Sequence, residues 1–139
     1  MKKQILLYNI KDKKRALDIR RVLMPLKIRI KQINESDFGQ PIGYLADIDG
    51  FEFCENLSGD FSFDDEMMIM VGLTGFEIDQ IIKGFHKKRI AGIPLKAILT
   101  EENQKWDSRK LYENLRDEHA DFSPAAGGSA HKNIRGLRY

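Results

Sequence analysis

Residues 93–119 read IPLKAILTEENQKWDSRKLYENLRDEH and contain the clearest strand-to-helix junction of the chain. The first seven residues are mostly apolar and are bounded by turn signals, which predicts a strand with both faces at least partly covered. Pro94 has no N–H group for a β-ladder, so it can only open this strand. Polar residues from Thr100 to Lys105 then separate the strand from a helix.

Asp107 is the predicted N-cap of that helix, because its carboxylate can accept hydrogen bonds from first-turn N–H groups. Trp106 and Leu111 then occupy the two positions of a hydrophobic staple. One face continues at helical spacing, with Leu111, Tyr112, Leu115 and His119. We expect Trp106 to clasp the turn to the helix; an exposed binding anchor is the alternative, and its burial distinguishes the two.

Working back from this stretch, apolar residues and helical faces alternate. Strands are predicted at 4–8, 27–33 and 67–73, and helices at 12–24 and after Thr74. Thr74 and Glu77 have the spacing of a capping box, and Ile78, Ile81, Ile82 and Phe85 follow at helical spacing. Basic residues alternate along 27–33, which predicts an edge position. Pro41 can open a short helix as its first residue.

Residues 49–66 are acidic and have no regular period, so we predict a long loop, with a hairpin as the alternative because four phenylalanines alternate there with polar residues. The whole pattern predicts a single α/β domain over residues 1–122, with about four mostly parallel strands alternating with helices and an acidic loop insertion. Residues 123–139 are rich in Gly, Ala and Ser and are predicted to be a flexible basic tail.

The charges are segregated along the chain. Residues 1–33 hold 11 Lys or Arg and 2 acids, whereas residues 34–66 hold 10 acids and no Lys or Arg. Such blocks usually attract each other within a fold or solvate opposite faces. A nucleic-acid surface is the alternative: Lys11, Lys13, Lys14, Arg15, Arg20 and Arg21 on the first helix would bind phosphates together with the basic tail.

Composition limits the class of protein. The chain has 139 residues and 42% hydrophobic residues, no apolar run long enough for a membrane span, and an N-terminal apolar run too short for a signal peptide. The single cysteine, Cys54, excludes an internal disulfide framework and favours a cytoplasmic protein. No zinc spacing, phosphate-binding loop or nucleophile elbow occurs, so we expect no metal or cofactor and do not favour an enzyme.

Polar residues follow three of the predicted strands: Asn9, Thr74 and Thr100. In a parallel sheet these residues would meet at the carboxyl edge, where ligands collect and helix N-termini attract anions. Helix capping alone also accounts for such residues, and we favour that interpretation.

Lys96 is the least expected residue, because a lysine within an apolar strand costs free energy unless its ammonium reaches water or a carboxylate. Snorkelling from an edge strand is the favoured explanation. The alternative is a small anionic-ligand site that Lys96 shares with Thr100 and Asn103. His119 is expected to be a packed histidine rather than a general base.

The run PLKAILTEENQKWDSRKLYENLRDEH resembles the signature of a small bacterial family, the domain of unknown function 3783. Pro94, Lys96, Thr100, Asn103 and Trp106 lie on that pattern, which ends in Glu118 and His119. The resemblance implies a stand-alone bacterial α/β protein but brings no activity, substrate or cofactor. We therefore predict a non-enzymatic protein-binding or regulatory module, acting through a protein partner or self-association, with nucleic-acid binding as the alternative. Trp106, Lys14, Arg20 and Arg21 are the interaction candidates.

Overall fold

The protein contains one four-stranded mixed sheet with helices on both faces. A computed structural model describes residues 2–55 and 61–121, with side chains to residue 118. The strands are β1 (Gln4–Tyr8), β2 (Arg29–Ile33), β3 (Met67–Val71) and β4 (Leu95–Ile98). The α-helices are α1 (Lys13–Leu23), α2 (Ile42–Leu45), α3 (Gly75–Lys87) and α4 (Ser108–Asp121). The α/β class is confirmed, and no helix of the described residues is long and apolar enough to cross a membrane.

Strand direction is where the sheet differs from a simple parallel one. The strand order is β2-β1-β3-β4. The pairs β1–β2 and β3–β4 are parallel, but the central pair β1–β3 is antiparallel, with Gln4 opposite Val71 and Tyr8 opposite Met67. The sheet therefore consists of two parallel βαβ units that are joined through the antiparallel pair β1–β3. β2 and β4 form its edges, as the alternating basic residues of β2 predicted.

Each face of the sheet is covered by one layer. On one face, α1 and α3 pack on Ile5, Leu7, Met68 and Met70. On the other, α2, α4 and the segment between β2 and β3 pack on Leu6, Tyr8, Met67 and Ile69. Both central strands are buried at every position, because each face of the sheet is covered.

The predicted capping signals are present in the structure. Asp12 accepts from the Arg15 N–H, Thr74 and Glu77 form the complete capping box, and Asp107 accepts from the Lys110 N–H at 2.9 Å. The prediction for Pro41 was wrong by one position: it precedes α2 as the cap, and Ile42 is the first helical residue.

The acidic segment packs as an irregular connection. Residues 49–55 and 61–66 contain no strand, so the hairpin alternative is not found in the described part of this segment. Phe63 is buried and stacks on Phe38 and Tyr112, with ring centroids 4.8 and 4.1 Å apart. The predicted flexible tail, with His131, lies outside the described residues. Because Phe63 enters the core, this part of the segment is a structural element rather than a free flap.

The two charge blocks contact each other, as their segregation suggested. Arg15 pairs with Glu66, Lys11 with Asp64, and both Arg29 and Lys31 with Asp47. Each pair joins the basic block 1–33 to the acidic block 34–66. Part of the charge segregation therefore reflects ion pairs within the fold, between the first βαβ unit and the segment that connects it to the second.

A buried hydroxyl pair joins β1 to α4, and it makes a test of the core. The hydroxyl groups of Tyr8 and Ser108 lie 2.7 Å apart and both residues are fully buried. Burial raises the pKa of Tyr8, so the phenol stays protonated.

Tyr8→Phe should therefore leave the Ser108 hydroxyl unpaired and lower the free energy of unfolding by about 1–2 kcal/mol, and Ser108→Ala should do the same. Urea unfolding of the singles and the double variant measures their coupling. Tyr44→Phe, at a half-buried tyrosine, is the control. Strictly additive losses would show that the two hydroxyl groups do not interact.

Candidate ligand pocket at Lys96

The three polar residues that follow strands do not converge. Because β1 and β3 run antiparallel, their carboxyl ends lie at opposite ends of the sheet. Asn9 follows β1 at one end, and Thr74 and Thr100 follow β3 and β4 at the other. The expectation of a shared carboxyl edge was therefore wrong. It assumed that β1 and β3 are parallel, and the order of elements along the chain does not determine that direction.

Two of these residues have structural partners. Asn9, in the left-handed region at φ 62°, donates from its side-chain amide to the carbonyl oxygens of Phe63 and Asp65 at 2.8 and 3.0 Å. It thereby anchors the end of the acidic segment. Thr74 is occupied by the capping box with Glu77.

Asn103 holds the turn after β4 together. Its Oδ1 accepts from the Thr100 N–H at 2.8 Å, its Nδ2 donates to the Ile98 carbonyl, and its own N–H donates to the Thr100 hydroxyl. The side chain is buried and its amide is used at both ends. Asn103 and Thr100 thus form a turn, and neither lines the pocket beside Lys96.

Lys96 lies on edge strand β4, opposite Met68 of β3 and on the face covered by α3. It lines a pocket of about 220 Å³ between β4, α3 and the loop that joins them. The wall is mostly apolar, and the lining residues are Met68, Ile81, Ile82, Phe85, His86, Ile90, Gly92, Ile93 and Lys96. The pocket therefore combines an apolar wall with one ammonium and one imidazole.

The Lys96 ammonium is half-buried and has a main-chain partner. Its Nζ donates to the carbonyl oxygen of Ile93 at 2.6 Å. No carboxylate of the described residues lies within 4.0 Å of it, and desolvation by burial lowers the pKa of Lys96 with no opposing charge. The half-buried ammonium on edge strand β4 is compatible with snorkelling, which stays a prediction. Thr100 and Asn103 do not line the pocket, so the structure does not bring them together with Lys96.

A guanidinium bracket holds the loop that forms one side of the pocket. Arg15 of α1 binds the Glu66 carboxylate through Nε and Nη2, at 2.7 and 2.6 Å. The same guanidinium donates to the carbonyl oxygens of Ala91 and Gly92, at 2.8 and 3.3 Å. The loop is thereby tied to both α1 and the start of β3. We call this set, Arg15, Glu66, Ala91 and Gly92, the Arg15 bracket.

The interaction candidates are dispersed. Trp106 is half-buried against the core cluster that contains Leu111, with the Lys110 Nζ 4.7 Å from its ring centroid. Lys14 pairs with Asp18 on its own helix, and Arg20 and Arg21 are exposed on α1. The side chain of His119 lies outside the described part of the chain. The partial burial of Trp106 agrees better with the clasp than with an exposed anchor.

Sequence reasoning found Lys96 but missed the residues around it. His86 was considered isolated, and the Arg15 bracket was not foreseen, since its members lie 51 and 76 positions apart. A usable signal existed in Ile90 and Ile93, two apolar residues on either side of Gly92 in the loop between α3 and β4. In the described residues, no three His, Cys, Asp or Glu side chains come together as a metal ion would require.

Comparison with known proteins identifies a family match over part of the chain. Residues 66–122 match the family described as Domain of unknown function (DUF3783), so the predicted resemblance is confirmed over this range. Every residue that lines the Lys96 pocket falls within it, whereas Arg15 lies outside. The chain matches no curated protein and no solved structure.

The burial of Lys96 gives a test of stability against pH. Lys96→Met should raise the free energy of unfolding at pH 7 by about 1 kcal/mol, because a desolvated ammonium is replaced by an apolar side chain. Lys31→Met on β2 is the matched control: the Lys31 Nζ also donates to a main-chain carbonyl but has Asp47 at 3.7 Å. Lys31→Met should not stabilise the fold.

The pH dependence has a defined sign. Because burial lowers the pKa of Lys96, the unfolded chain binds more protons between the lowered pKa and the ordinary value of 10.5. The free energy of unfolding of the wild-type protein therefore rises with pH through that window. The extra stability of Lys96→Met over the wild type should shrink there. Urea unfolding at several pH values measures it, and an advantage that grows with pH would contradict the assignment.

Proposed function

We propose that this chain, whose residues 66–122 carry the match to a family without an assigned activity, is a non-enzymatic module that binds a small molecule in the Lys96 pocket. The supporting observation is an apolar pocket whose ammonium has no neighbouring carboxylate among the residues that the structure describes. An apolar concavity with few polar groups is the usual form of a ligand site. A desolvated, titratable side chain in such a concavity is a candidate binding residue.

A regulatory role for this binding rests on the Arg15 bracket. One wall of the pocket is the loop that contains Ile90, Gly92 and Ile93. The bracket ties that loop to α1 of the first βαβ unit and to the start of β3. A ligand that contacts the loop would therefore favour one position of the loop. Because Arg15 binds the loop, that shift would change the position of α1. We propose α1 as the surface that responds to the ligand.

Contact with another protein is a second candidate, favoured by exposed apolar side chains. Phe76, in the first turn of α3, is 72% exposed, and Met24 at the end of α1 is 63% exposed. Exposed large aromatic side chains are frequent anchors of protein interfaces. The pairing of Lys11, Lys14 and Arg15 with carboxylates gives nucleic-acid binding less support, and that alternative remains a prediction.

Filling the pocket tests the small-molecule proposal. Ile82 of α3 is half-buried in the pocket wall, whereas Lys83 is exposed and does not line it. Amide chemical shifts around Ile93 and Lys96 should respond to at least one of a set of organic fragments, used at on the order of 1 mM. Ile82→Trp should abolish the response, because the indole occupies the space, and Lys83→Trp should retain it. Either no response from any fragment or an unchanged response in Ile82→Trp would refute the pocket as a binding site.

The second candidate is tested by the mass of the protein in solution. If Phe76 anchors self-association, sedimentation should show a mass that rises with protein concentration. Phe76→Ser should lower the association constant about tenfold or more, because the variant lacks the apolar ring that association would bury. Leu17→Ser, at a less exposed apolar residue of α1, is the comparison variant. A monomer at every concentration excludes self-association through Phe76.

A further inference from the structure

We infer that the ligand of the Lys96 pocket is a small monocarboxylate with an apolar body, bound with its carboxylate on the Lys96 ammonium. This inference rests on the proposed function, since it names the chemical class that the same pocket selects. Three features support it: the size of the pocket, the composition of its wall and the bonding of the ammonium.

The size of the pocket limits the ligand. Its volume of about 220 Å³ exceeds the ~150 Å³ of an apolar cavity that accommodates benzene. It is smaller than the ~300–1,000 Å³ of pockets that hold drug-sized molecules. The ligand should therefore have about eight non-hydrogen atoms, the size of a six-carbon carboxylic acid.

The bonding of Lys96 leaves room for an anion. An ammonium has three N–H donors, and the Ile93 carbonyl uses one of them. Two donors remain for a carboxylate without any loss of the existing hydrogen bond. Lys31 offers a comparison, since both lysines lie on edge strands and donate to a carbonyl oxygen. Among the described residues, Lys31 has the carboxylate of Asp47 near its ammonium and Lys96 has none.

The wall and the helix end select a singly charged ligand. Six of the lining residues are large and apolar, and such a surface favours an aliphatic or aromatic body. The pocket lies beside the C-terminal half of α3, where the negative end of the helix dipole disfavours anions, and disfavours a dianion more than a single carboxylate that Lys96 can neutralise. Lys96 is the one Lys or Arg among the lining residues in the described part of the chain. A dianion such as phosphate would therefore remain undercompensated.

Four probes of known charge test the class on the full-length chain: hexanoate, 1-hexanol, hexylamine and inorganic phosphate. Calorimetry or amide chemical shifts at pH 7 should show that hexanoate binds about tenfold or more tightly than 1-hexanol, because only the carboxylate brings an opposite charge to the ammonium. Hexylamine and phosphate should bind more weakly still. Equal affinities for hexanoate and 1-hexanol would overturn the assignment of the class.

Variants separate this inference from the proposed function. In Lys96→Met, hexanoate should lose its advantage over 1-hexanol while 1-hexanol still binds, because the apolar wall is intact. If hexanoate keeps its advantage, the carboxylate does not contact Lys96 and the inference is wrong. If fragments bind but hexanoate does not, the class is wrong and the pocket stands. If no fragment binds at all, both the inference and the proposed function fail.

A pH series gives a readout that a purely structural role of Lys96 would not produce. The groups that face the pocket are Lys96 on β4 and His86 on α3, whereas β3 and the loop contribute Met68, Ile90, Gly92 and Ile93, none of which titrates. Hexanoate affinity should fall as pH rises through the lowered pKa of Lys96, and 1-hexanol affinity should not. The fall should persist in His86→Asn. A fall that disappears in His86→Asn, or none at all, would overturn the contact with Lys96.

Discussion

The antiparallel pairing of β1 with β3 is the constraint on which the rest of the structure depends. It buries both central strands and joins two βαβ units that are each parallel within themselves. It also places the carboxyl ends of β1 and β3 at opposite ends of the sheet, so Asn9 does not lie near Thr74 and Thr100. Polar groups that a wholly parallel sheet would bring together instead cap helices and hold turns.

The binding pocket follows from this arrangement at the edge of the second unit. β4 is covered by α3 on one face, and in the described part of the chain no strand pairs with its outer side. Lys96 is half-buried on that face, its ammonium donates to the nearby Ile93 carbonyl, and burial lowers its pKa. Within the described part of the chain this half-buried ammonium has no counter-charge, and the apolar wall around it explains why a ligand would combine a charge with an apolar body.

The Arg15 bracket links the two units in a way that sheet pairing does not. Its guanidinium joins α1, the start of β3 and the loop before β4 through charge-assisted hydrogen bonds. Bidentate pairs of this kind fix geometry as well as contributing energy. The bracket thereby gives the first unit a structural connection to the loop that forms the pocket. The same contact accounts for part of the charge segregation seen along the chain.

Local sequence determined the elements of this protein. The capping residues Asp12, Thr74 and Asp107, the apolar face of α3 and the edge character of β2 could all be identified from the sequence, because each depends on residues within a few positions of one another. The tertiary structure alone decided the direction of β3 against β1, the packing of Phe63 into the core and the surroundings of Lys96. These features depend on contacts between different elements of the chain, such as Tyr8 with Met67, Phe63 with Phe38 and Lys96 with Met68. A pattern of neighbouring residues carries no information about the direction in which distant strands meet. The sequence therefore showed that Lys96 was out of place, and only the fold decided which groups surround it.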